Sequence, residues 1–389
     1  MQASSSALSP PDRLTELDSL RGLAALMVVM HHLVKLWIED ARTGPVPHLV
    51  RAILLPVVLG GDGAVLLFFV LSGFVLSLPA VAGRPQPYAV FLVRRVFRIY
   101  IPYLAALALS VAGAYWLHGA VTGCDWFHRV WSEPVNLSLV GRHLAFLGEF
   151  NTEQFDPPIW SLVYEMRISL FFPLLCAFVL RYKTRWPVVM ICLLSALSIA
   201  ADTYGGAEFG RSLVDTLYFA GFFILGIFLA RDRAAIAVWW KGLTRPAKIA
   251  LGIVCVGGYL LVGPWILKWK ILHSLPLTVL ISQWLKALSA GGLIVLSLNA
   301  DVCRRFLGWA PVRWAGIRSY SLYLMHYVVL LYCVHLLDGR MPFKAILGLV
   351  FVLSLAVSWA TYRFVEVPSM NLGRRLSYIA GKRVPAVKV

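Results

Sequence analysis

The chain has 389 residues, of which 59% are hydrophobic and 14% are charged. Soluble globular domains average about 45–50% apolar and about 25% charged residues, so this composition excludes an ordinary water-soluble domain. Thirty-six Lys and Arg residues oppose nineteen Asp and Glu residues, which gives a net charge of +17. In a membrane protein such an excess marks cytoplasmic loops, and we expect no nucleic-acid partner. The six cysteines form no CxxC pair, so neither a disulfide framework nor a metal site is predicted.

Ten apolar runs have the length and composition of membrane-spanning helices. They lie at about 20–38, 56–81, 99–117, 159–180, 186–201, 213–230, 249–265, 275–298, 319–337 and 345–365. The first run contains Arg21 and two histidines and has no small-residue cleavage site after it, so we interpret it as a retained helix rather than a signal peptide. The sequence therefore predicts an all-α, polytopic integral membrane protein in a lipid bilayer.

The basic residues predict how this protein is oriented. The segments that follow the even-numbered spans contain 21 Lys and Arg residues, whereas the alternate segments contain nine. By the positive-inside rule, we expect both termini to be cytoplasmic, as in a multi-pass protein of the inner (cytoplasmic) membrane. We expect a disordered N-terminal tail at 1–13, one transmembrane domain at 14–369 and a basic cytoplasmic tail at 370–389. The longest connection, 118–158, lies outside and either binds a polar acceptor or, as we favour, is a solvated connector.

Two ionisable residues of the first span share one helical face. Arg21 and His32 are eleven residues apart, which is about 20° from a whole number of turns and about 16 Å along the axis. Ionisable side chains are costly inside a membrane and tend to be functional. In that case Arg21 would hold an anionic group and chemistry would take place near His32. Alternatively, Arg21 reaches the headgroups and His32 bonds a neighbouring helix. His31 points about 100° away from His32, so we do not expect both in one site.

Three further charged groups lie at depth in predicted spans. Glu165 falls about two turns inside the fourth span. It could orient or deprotonate a histidine or bind sugar hydroxyls, and the structural alternative is an ion pair with an arginine of another helix. His326, in the ninth span, is either a packing residue or a proton-transfer group. Lys286, near the centre of the eighth span, is either functional or a sign that this helix is misplaced.

Arg95 and Arg98 share one face of a helix at the predicted cytoplasmic interface. Guanidinium groups there can bind phosphate in a bidentate manner, or they simply satisfy the positive-inside rule. The sequence contains no GxSxG nucleophile elbow, no HExxH zinc pattern and no phosphate-binding GxxxxGK[ST] loop.

Six segments resemble motifs of one family when they are taken in order. They are LDSLRGLAA at 17–25, whose Arg21 is followed by His32 after ten intervening residues, FFVLSGF at 68–74, Arg95-x-x-Arg98, WSLVYE at 160–165, YSLYLMH at 320–326 and EVP at 366–368. Together they resemble the acyltransferase 3 family of membrane proteins, which O-acylate bacterial surface glycans and related acceptors. The resemblance covers about residues 14–369.

The resemblance implies a donor, an acceptor and roles for the residues above. The donor would be acetyl-CoA, used as a co-substrate without a metal, and the acceptor a hydroxyl of a glycan or lipid-linked saccharide on the outer side. Arg95 and Arg98 would bind the CoA phosphates, and Arg21 the pantetheine end or the pyrophosphate. His32 would act as general base or as nucleophile. Glu165 would orient the imidazole or the acceptor, and His326 would be a second proton-transfer group.

Two departures from the family and two other functions bear on this hypothesis. Many members have a second acidic residue after the one at Glu165, whereas Met166 and Arg167 follow here. Some members carry an appended hydrolase-like domain, and without one we expect the membrane domain or a separate partner to complete the transfer.

The alternative function is a secondary transporter of an anionic solute. No inverted half-repeat is visible in the sequence, which counts against a transporter. A catalytically silent partner of a glycan assembly complex is the third, and a homo-oligomer stays open.

Overall fold

The computed structural model describes residues 14–39, 46–119, 127, 129–145, 151–204, 208–268 and 276–383. These residues form helices and their connections, without a β-strand among them. The helices are α1 (Thr15–Glu39), α2 (His48–Val81), α3 (Tyr88–Leu117), α4 (Leu137–Ala145), α5 (Trp160–Arg181, preceded by the 3-10 turn Pro157–Ile159), α6 (Arg185–Tyr204), α7 (Glu208–Arg231), α8 (Arg233–Gly242), α9 (Arg245–Lys268), α10 (Pro276–Asn299), α11 (Asp301–Leu307), α12 (Ala310–Ile317), α13 (Ser319–Leu337), α14 (Phe343–Thr361) and α15 (Val367–Arg383, joined to α14 by the π-helical turn Tyr362–Glu366). The predicted tail at 1–13 lies outside the described residues.

Each of the ten predicted spans coincides with one of these helices. Within the described residues, nine helices are long and apolar enough to cross a membrane, and Arg185–Ala201 of α6 is a shorter apolar helix. In lipid every backbone polar group must be satisfied within the protein, which a helix achieves by itself. The prediction of an all-α, polytopic membrane protein is therefore confirmed.

Four helix ends meet on the side of the bundle at which α1 begins. Asp18 near the start of α1, Ala80 at the end of α2, Leu180 at the end of α5 and Ser319 at the start of α13 line one cavity. We call this side the N-side and the opposite side the far side. Helices α1 and α13 begin on the N-side and α2 and α5 end there, so the first two run in the opposite direction to the last two.

Helix α13 lies at the centre of the core. Fourteen of its 19 residues are buried, and it packs against α1, α3 and α14. A helix buried on all sides exposes none of its polar groups to water, so its tyrosines, serines and histidines must find partners inside the protein. This position explains why so many of the site residues described below belong to α13 or contact it.

Glycines allow neighbouring helices to approach closely. A Cβ on Gly73 of α2 would overlap the carbonyl oxygen of Phe223, and a Cβ on Gly226 of α7 would overlap that of Val70. Gly22 of α1 lies in the same way against the backbone of Gly316 in α12. Small residues of this kind let transmembrane helices pack backbone to backbone. The glycines of two motifs therefore serve helix packing.

Two segments are more structured than their composition suggests. Residues 370–383 of the predicted basic tail are helical and continue α15, where Gly373 packs on Phe97. The described part of 118–158 is not a solvated connector, because Trp131 and Phe155 are fully buried in it. Large aromatic side chains gain most by leaving water, and here they anchor the segment to the helix bundle.

Candidate active site

A large cavity on the N-side is rich in arginine. Its volume is about 840 Å³. We call it the vestibule, and its charged lining residues are Arg21, Arg94, Arg95, Arg98, Arg374, Asp18 and Glu366. Five guanidinium groups thus face two carboxylates, and guanidinium forks suit the planar oxygen pairs of phosphates and carboxylates. The vestibule has the charge and the size to hold an extended anionic ligand.

The first turns of α3 place three of these arginines. Arg95 and Arg98 are three residues apart and therefore share a face, and both line the vestibule as the spacing predicts. Arg94, on the neighbouring face, donates from Nε to Ser377 Oγ of α15 at 3.1 Å. Arg98 Nη1 lies 3.2 Å from Met370 Sδ. Helix α15 thus forms one wall of the vestibule and fixes the arginines of α3.

A smaller cavity continues from the vestibule into the core. Its volume is about 60 Å³, and it shares Arg21, Arg95, Arg98 and Ser319 with the vestibule. We call it the central cavity, and its other polar lining residues are Ser72, Ser161, Glu165, Tyr320 and Tyr323. A space of this size holds a group of a few atoms, since a water molecule takes about 30 Å³ of liquid.

Glu165 forms an ion pair at the wall of the central cavity. Arg95 donates from Nη2 to Glu165 Oε1 at 2.6 Å, and Ser72 Oγ donates to the same oxygen at 3.0 Å. Arg95 also donates from Nε to Ser169 Oγ, one turn along α5. The ion pair with another helix, which the sequence left open, is thus present. The hydrogen bonds of the Glu165 carboxylate thus connect it with an arginine and not with either histidine of the candidate site.

Two histidines meet beyond the central cavity. The ring centroids of His32 in α1 and His326 in α13 are 5.3 Å apart, and Tyr327 lies edge-on to His32 at 5.0 Å. His326 Nδ1 bonds the carbonyl oxygen of Tyr323 at 2.7 Å, and His326 is buried. The structure therefore joins two residues that are 294 positions apart in the sequence and that were predicted as catalytic candidates separately.

The helices order these groups from the N-side towards the far side. Along α1, Asp18 lines the vestibule, Arg21 lines both cavities and His32 lies beyond them. Along α13, Ser319 lines both cavities, Tyr323 lines the central cavity and His326 follows one turn later. Arg21 and His32 thus both face α13, which confirms that they share one face.

Two other candidates lie outside this path. His31 bonds the carbonyl oxygen of Val58 in α2, and its ring meets that of His32 edge-on at 4.9 Å. Lys286 is buried in α10, whose bounds match the predicted span, and its Nζ lies 3.9 Å from Asp62 Oδ2. Neither residue lines the vestibule or the central cavity.

Sequence reasoning about charges missed several polar residues of the site. Ser161 Oγ and Tyr323 OH are 2.7 Å apart, and Ser321 Oγ donates to Glu366 Oε2 at 2.6 Å. All four residues belong to motifs of the family, so the motifs were the signal that could have identified them. Glu366 is buried and ends the π-helical turn, a feature that is frequent at functional sites. In the described part of the chain, no group of three or more His, Cys, Asp or Glu side chains could hold a metal ion.

The comparison with protein families agrees with this arrangement. The model of the acyltransferase 3 family, described as an acyltransferase domain, matches residues 14–363. The chain belongs to this family. Its membrane-spanning helices therefore belong to a membrane acyltransferase domain. The family prediction made from the six motifs is confirmed.

Individual relatives are distant. The chain is 24% identical to YrhL of Bacillus subtilis, which is named after peptidoglycan O-acetylation, over 92% of this chain and 55% of YrhL. It is 20% identical to the O-acetyltransferase OatA of Staphylococcus aureus, over 93% of this chain and 58% of OatA. BcsY of Komagataeibacter xylinus, named after membrane-bound transacylation, is 24% identical over 98% of this chain and 89% of BcsY. The chain thus spans little more than half the length of YrhL and OatA. No solved structure matches it.

Proposed function

We propose that this protein transfers an acetyl group from cytoplasmic acetyl-CoA to a hydroxyl of a glycan or lipid-linked saccharide on the outer side of the inner membrane. The observation that carries the proposal is the order of groups along α1 and α13, from the arginines of the vestibule, past the central cavity, to the histidine pair. Family membership supplies the reaction class, and the relatives named as O-acetyltransferases support acetyl as the acyl group. In this account the N-side is cytoplasmic, as the positive-inside rule predicts.

The vestibule suits the anionic part of the donor. The phosphates of CoA would bind Arg98 and the arginines beside it, because charge-assisted bonds to guanidinium are about twice as strong as neutral ones. Arg21 lies where the vestibule meets the central cavity, so it would hold the pyrophosphate or the pantetheine end. The pantetheine arm would then place its thioester end, a group of a few atoms, in the central cavity and point it towards the histidines.

The histidine pair would perform the transfer. In one form, neutral His32 attacks the thioester carbonyl, the CoA thiolate leaves, and the acceptor hydroxyl then displaces the imidazole from the acyl group. In the other form, His32 takes the proton of the acceptor hydroxyl while its oxygen attacks the thioester directly. In both forms the acceptor loses one proton and the CoA thiolate gains one. His326, whose ring lies 5.3 Å from that of His32, would share that proton.

Glu165 and Arg95 have a different role in this account from the one that the motifs implied. The carboxylate of Glu165 accepts from Arg95 and from Ser72, so we propose that it fixes Arg95 at the entrance of the central cavity. Arg95 uses Nη2 for Glu165 and Nε for Ser169, so it would contact the donor with Nη1. This assigns Glu165 to positioning the donor site rather than to orienting His32.

The test is CoA release by the purified full-length protein in lipid vesicles. With acetyl-CoA and surface glycan stripped of esters by mild base, we expect free CoA and glycan-bound acetate in equal amounts. His32→Ala should abolish both products, whereas His118→Ala, in an exposed histidine outside the site, should leave them unchanged. A transporter would release no CoA, and equal rates for the wild type and His32→Ala would refute the site.

A further inference from the structure

One buried carboxyl group at the far side has no part in the mechanism above. Asp156 immediately precedes the turn that leads into α5, and it is 1% exposed. Neither of its carboxyl oxygens has a hydrogen-bond partner in the structure as described. Buried polar atoms are almost always paired, and each exception requires an explanation. An absent ligand is one such explanation.

We propose that Asp156 is an acceptor-positioning residue, whose carboxyl group binds a hydroxyl group of the acceptor beside Tyr323. This inference rests on the proposed function and adds to it a residue for the acceptor. It assigns to the acceptor a neutral, hydroxyl-bearing class of ligand, such as a sugar.

The backbone on both sides of Asp156 is held rigidly. The carbonyl oxygen of Phe155 accepts from Ser110 Oγ at 2.6 Å and from Trp131 Nε1 at 3.2 Å. The carbonyl oxygen of Pro158 accepts from Tyr323 OH at 2.8 Å. Bonds from α3, α13 and the anchored tryptophan thus fix the main chain, while the side chain between them is left without a bond. This is the arrangement of a preorganised binding group.

Two tyrosines that interact with this carboxyl group through space already use their protons elsewhere. The Asp156 carboxyl acts electrostatically on Tyr103 and Tyr323, and each phenol has a single O–H to donate. Tyr103 donates to the carbonyl oxygen of His143 at 3.1 Å. Tyr323 donates to Pro158 or to Ser161. Neither phenol therefore satisfies Asp156, and a bound hydroxyl group would.

Tyr323 connects Asp156 with the reaction path. Its ring lines the central cavity and lies 6.0 Å from the ring of His326. Tyr323 OH also bonds the carbonyl oxygen of Pro158, two residues after Asp156, so an acceptor held at Asp156 would approach the histidine pair past Tyr323, from the side opposite the vestibule. Donor and acceptor would then meet at the histidines from the two ends of one path.

The protonation state of Asp156 agrees with a neutral ligand. Burial raises the pKa of this carboxyl group well above its usual range, because a charge in an apolar environment is costly. A neutral carboxyl group donates one hydrogen bond and accepts others, as a sugar hydroxyl does. Asparagine has the same shape and also offers a donor and an acceptor, whereas leucine has a similar volume and offers neither.

The experiment measures acetate transfer by the purified full-length protein in lipid vesicles. The probes are acetyl-CoA and base-treated surface glycan, each varied in turn. For Asp156→Leu we expect the half-saturating glycan concentration to rise at least about 10-fold, since a lost hydrogen bond of this kind is worth about one factor of ten. The KM for acetyl-CoA should stay within about twofold. Asp156→Asn should stay close to the wild type. The control is Glu153→Leu in the same segment, whose side chain is 61% exposed.

A structural role makes the opposite prediction for stability. If Asp156 only supported the fold, Asp156→Leu would lower Tm and impair donor and acceptor use alike. The proposal instead predicts a Tm at least equal to that of the wild type, because an unpaired buried carboxyl group is replaced by an apolar one. Unchanged glycan dependence in Asp156→Leu would overturn the proposal alone. If the wild type transfers no acetate to the glycan, the proposed function fails, and the assignment of Asp156 falls with it.

Discussion

Replacing Glu165 with glutamine tests whether the Arg95–Glu165 pair holds the entrance of the central cavity. The side chain of Arg95 is 7% exposed and that of Glu165 is 16% exposed, with 2.6 Å between Nη2 and Oε1. Removing one partner of a buried pair costs about 3–5 kcal/mol, because the other charge remains desolvated. Glutamine keeps an oxygen that accepts from Arg95, and water can enter the adjacent cavity. We therefore expect a loss just below that range, about 2–3 kcal/mol.

The measurement is the free energy of unfolding of the full-length protein in mixed micelles. A cycle with Arg95→Met isolates the pair, and the double variant should be about 2 kcal/mol more stable than the sum of the single losses predicts. Glu153→Gln is the matched control, because its 4.0 Å pair with Arg129 is exposed and should contribute little. A loss below about 0.5 kcal/mol for Glu165→Gln, or additivity in the cycle, would refute the reasoning.

Three further changes test other parts of the account. Gly73→Ala should lower the free energy of unfolding by about 1–3 kcal/mol, because the added Cβ would overlap the backbone of Phe223. Gly252→Ala, with open space around it, should not lower it, and equal Tm values for the two variants would contradict the packing of α2 on α7. Arg98→Met should raise the KM for acetyl-CoA about 10- to 100-fold, because a charge-assisted hydrogen bond to the donor is lost. Arg233→Met on α8 is the control and should leave the KM unchanged, whereas an unchanged KM in Arg98→Met would show that Arg98 does not bind the donor. Asp156 should make the free energy of unfolding fall as the pH rises above about 4, because its raised pKa lets the folded chain keep a proton that the unfolded chain has lost. Between about pH 5 and pH 8, Tm should therefore fall less in Asp156→Asn than in the wild type, and parallel curves of Tm against pH would contradict a neutral buried carboxyl group.

Hydropathy alone identified the long apolar helices, because lipid leaves little choice of backbone structure. A run of about 20 apolar residues that crosses a bilayer must be helical, and each predicted run coincides with a helix to within a few residues. Local geometry also predicted that Arg21 and His32 face the same way, since both lie on one straight helix. Such inferences need only the helical repeat and no knowledge of which helices are neighbours.

The pairing between helices could not be read from the sequence. Glu165 and Arg95 are 70 residues apart, and the sequence left Glu165 open between a histidine and an arginine of another helix. Only the packing of α3 on α5 decides between them. The same holds for His32 with His326 and for Ser321 with Glu366, whose contacts depend on the position of α13. The composition of 118–158, in turn, gave no sign that Trp131 inserts its side chain among α3 and α13.

The most direct test of the central claim is the ester-linked acetate on surface glycans of cells with the intact gene, with a deletion, and with the deletion complemented by His32→Ala. The account predicts that acetate is lost in the deletion and is not restored by a folded, membrane-inserted His32→Ala protein, whereas the wild-type gene restores it. Equal acetate in all of these cells would contradict O-acetylation of the glycan by this protein.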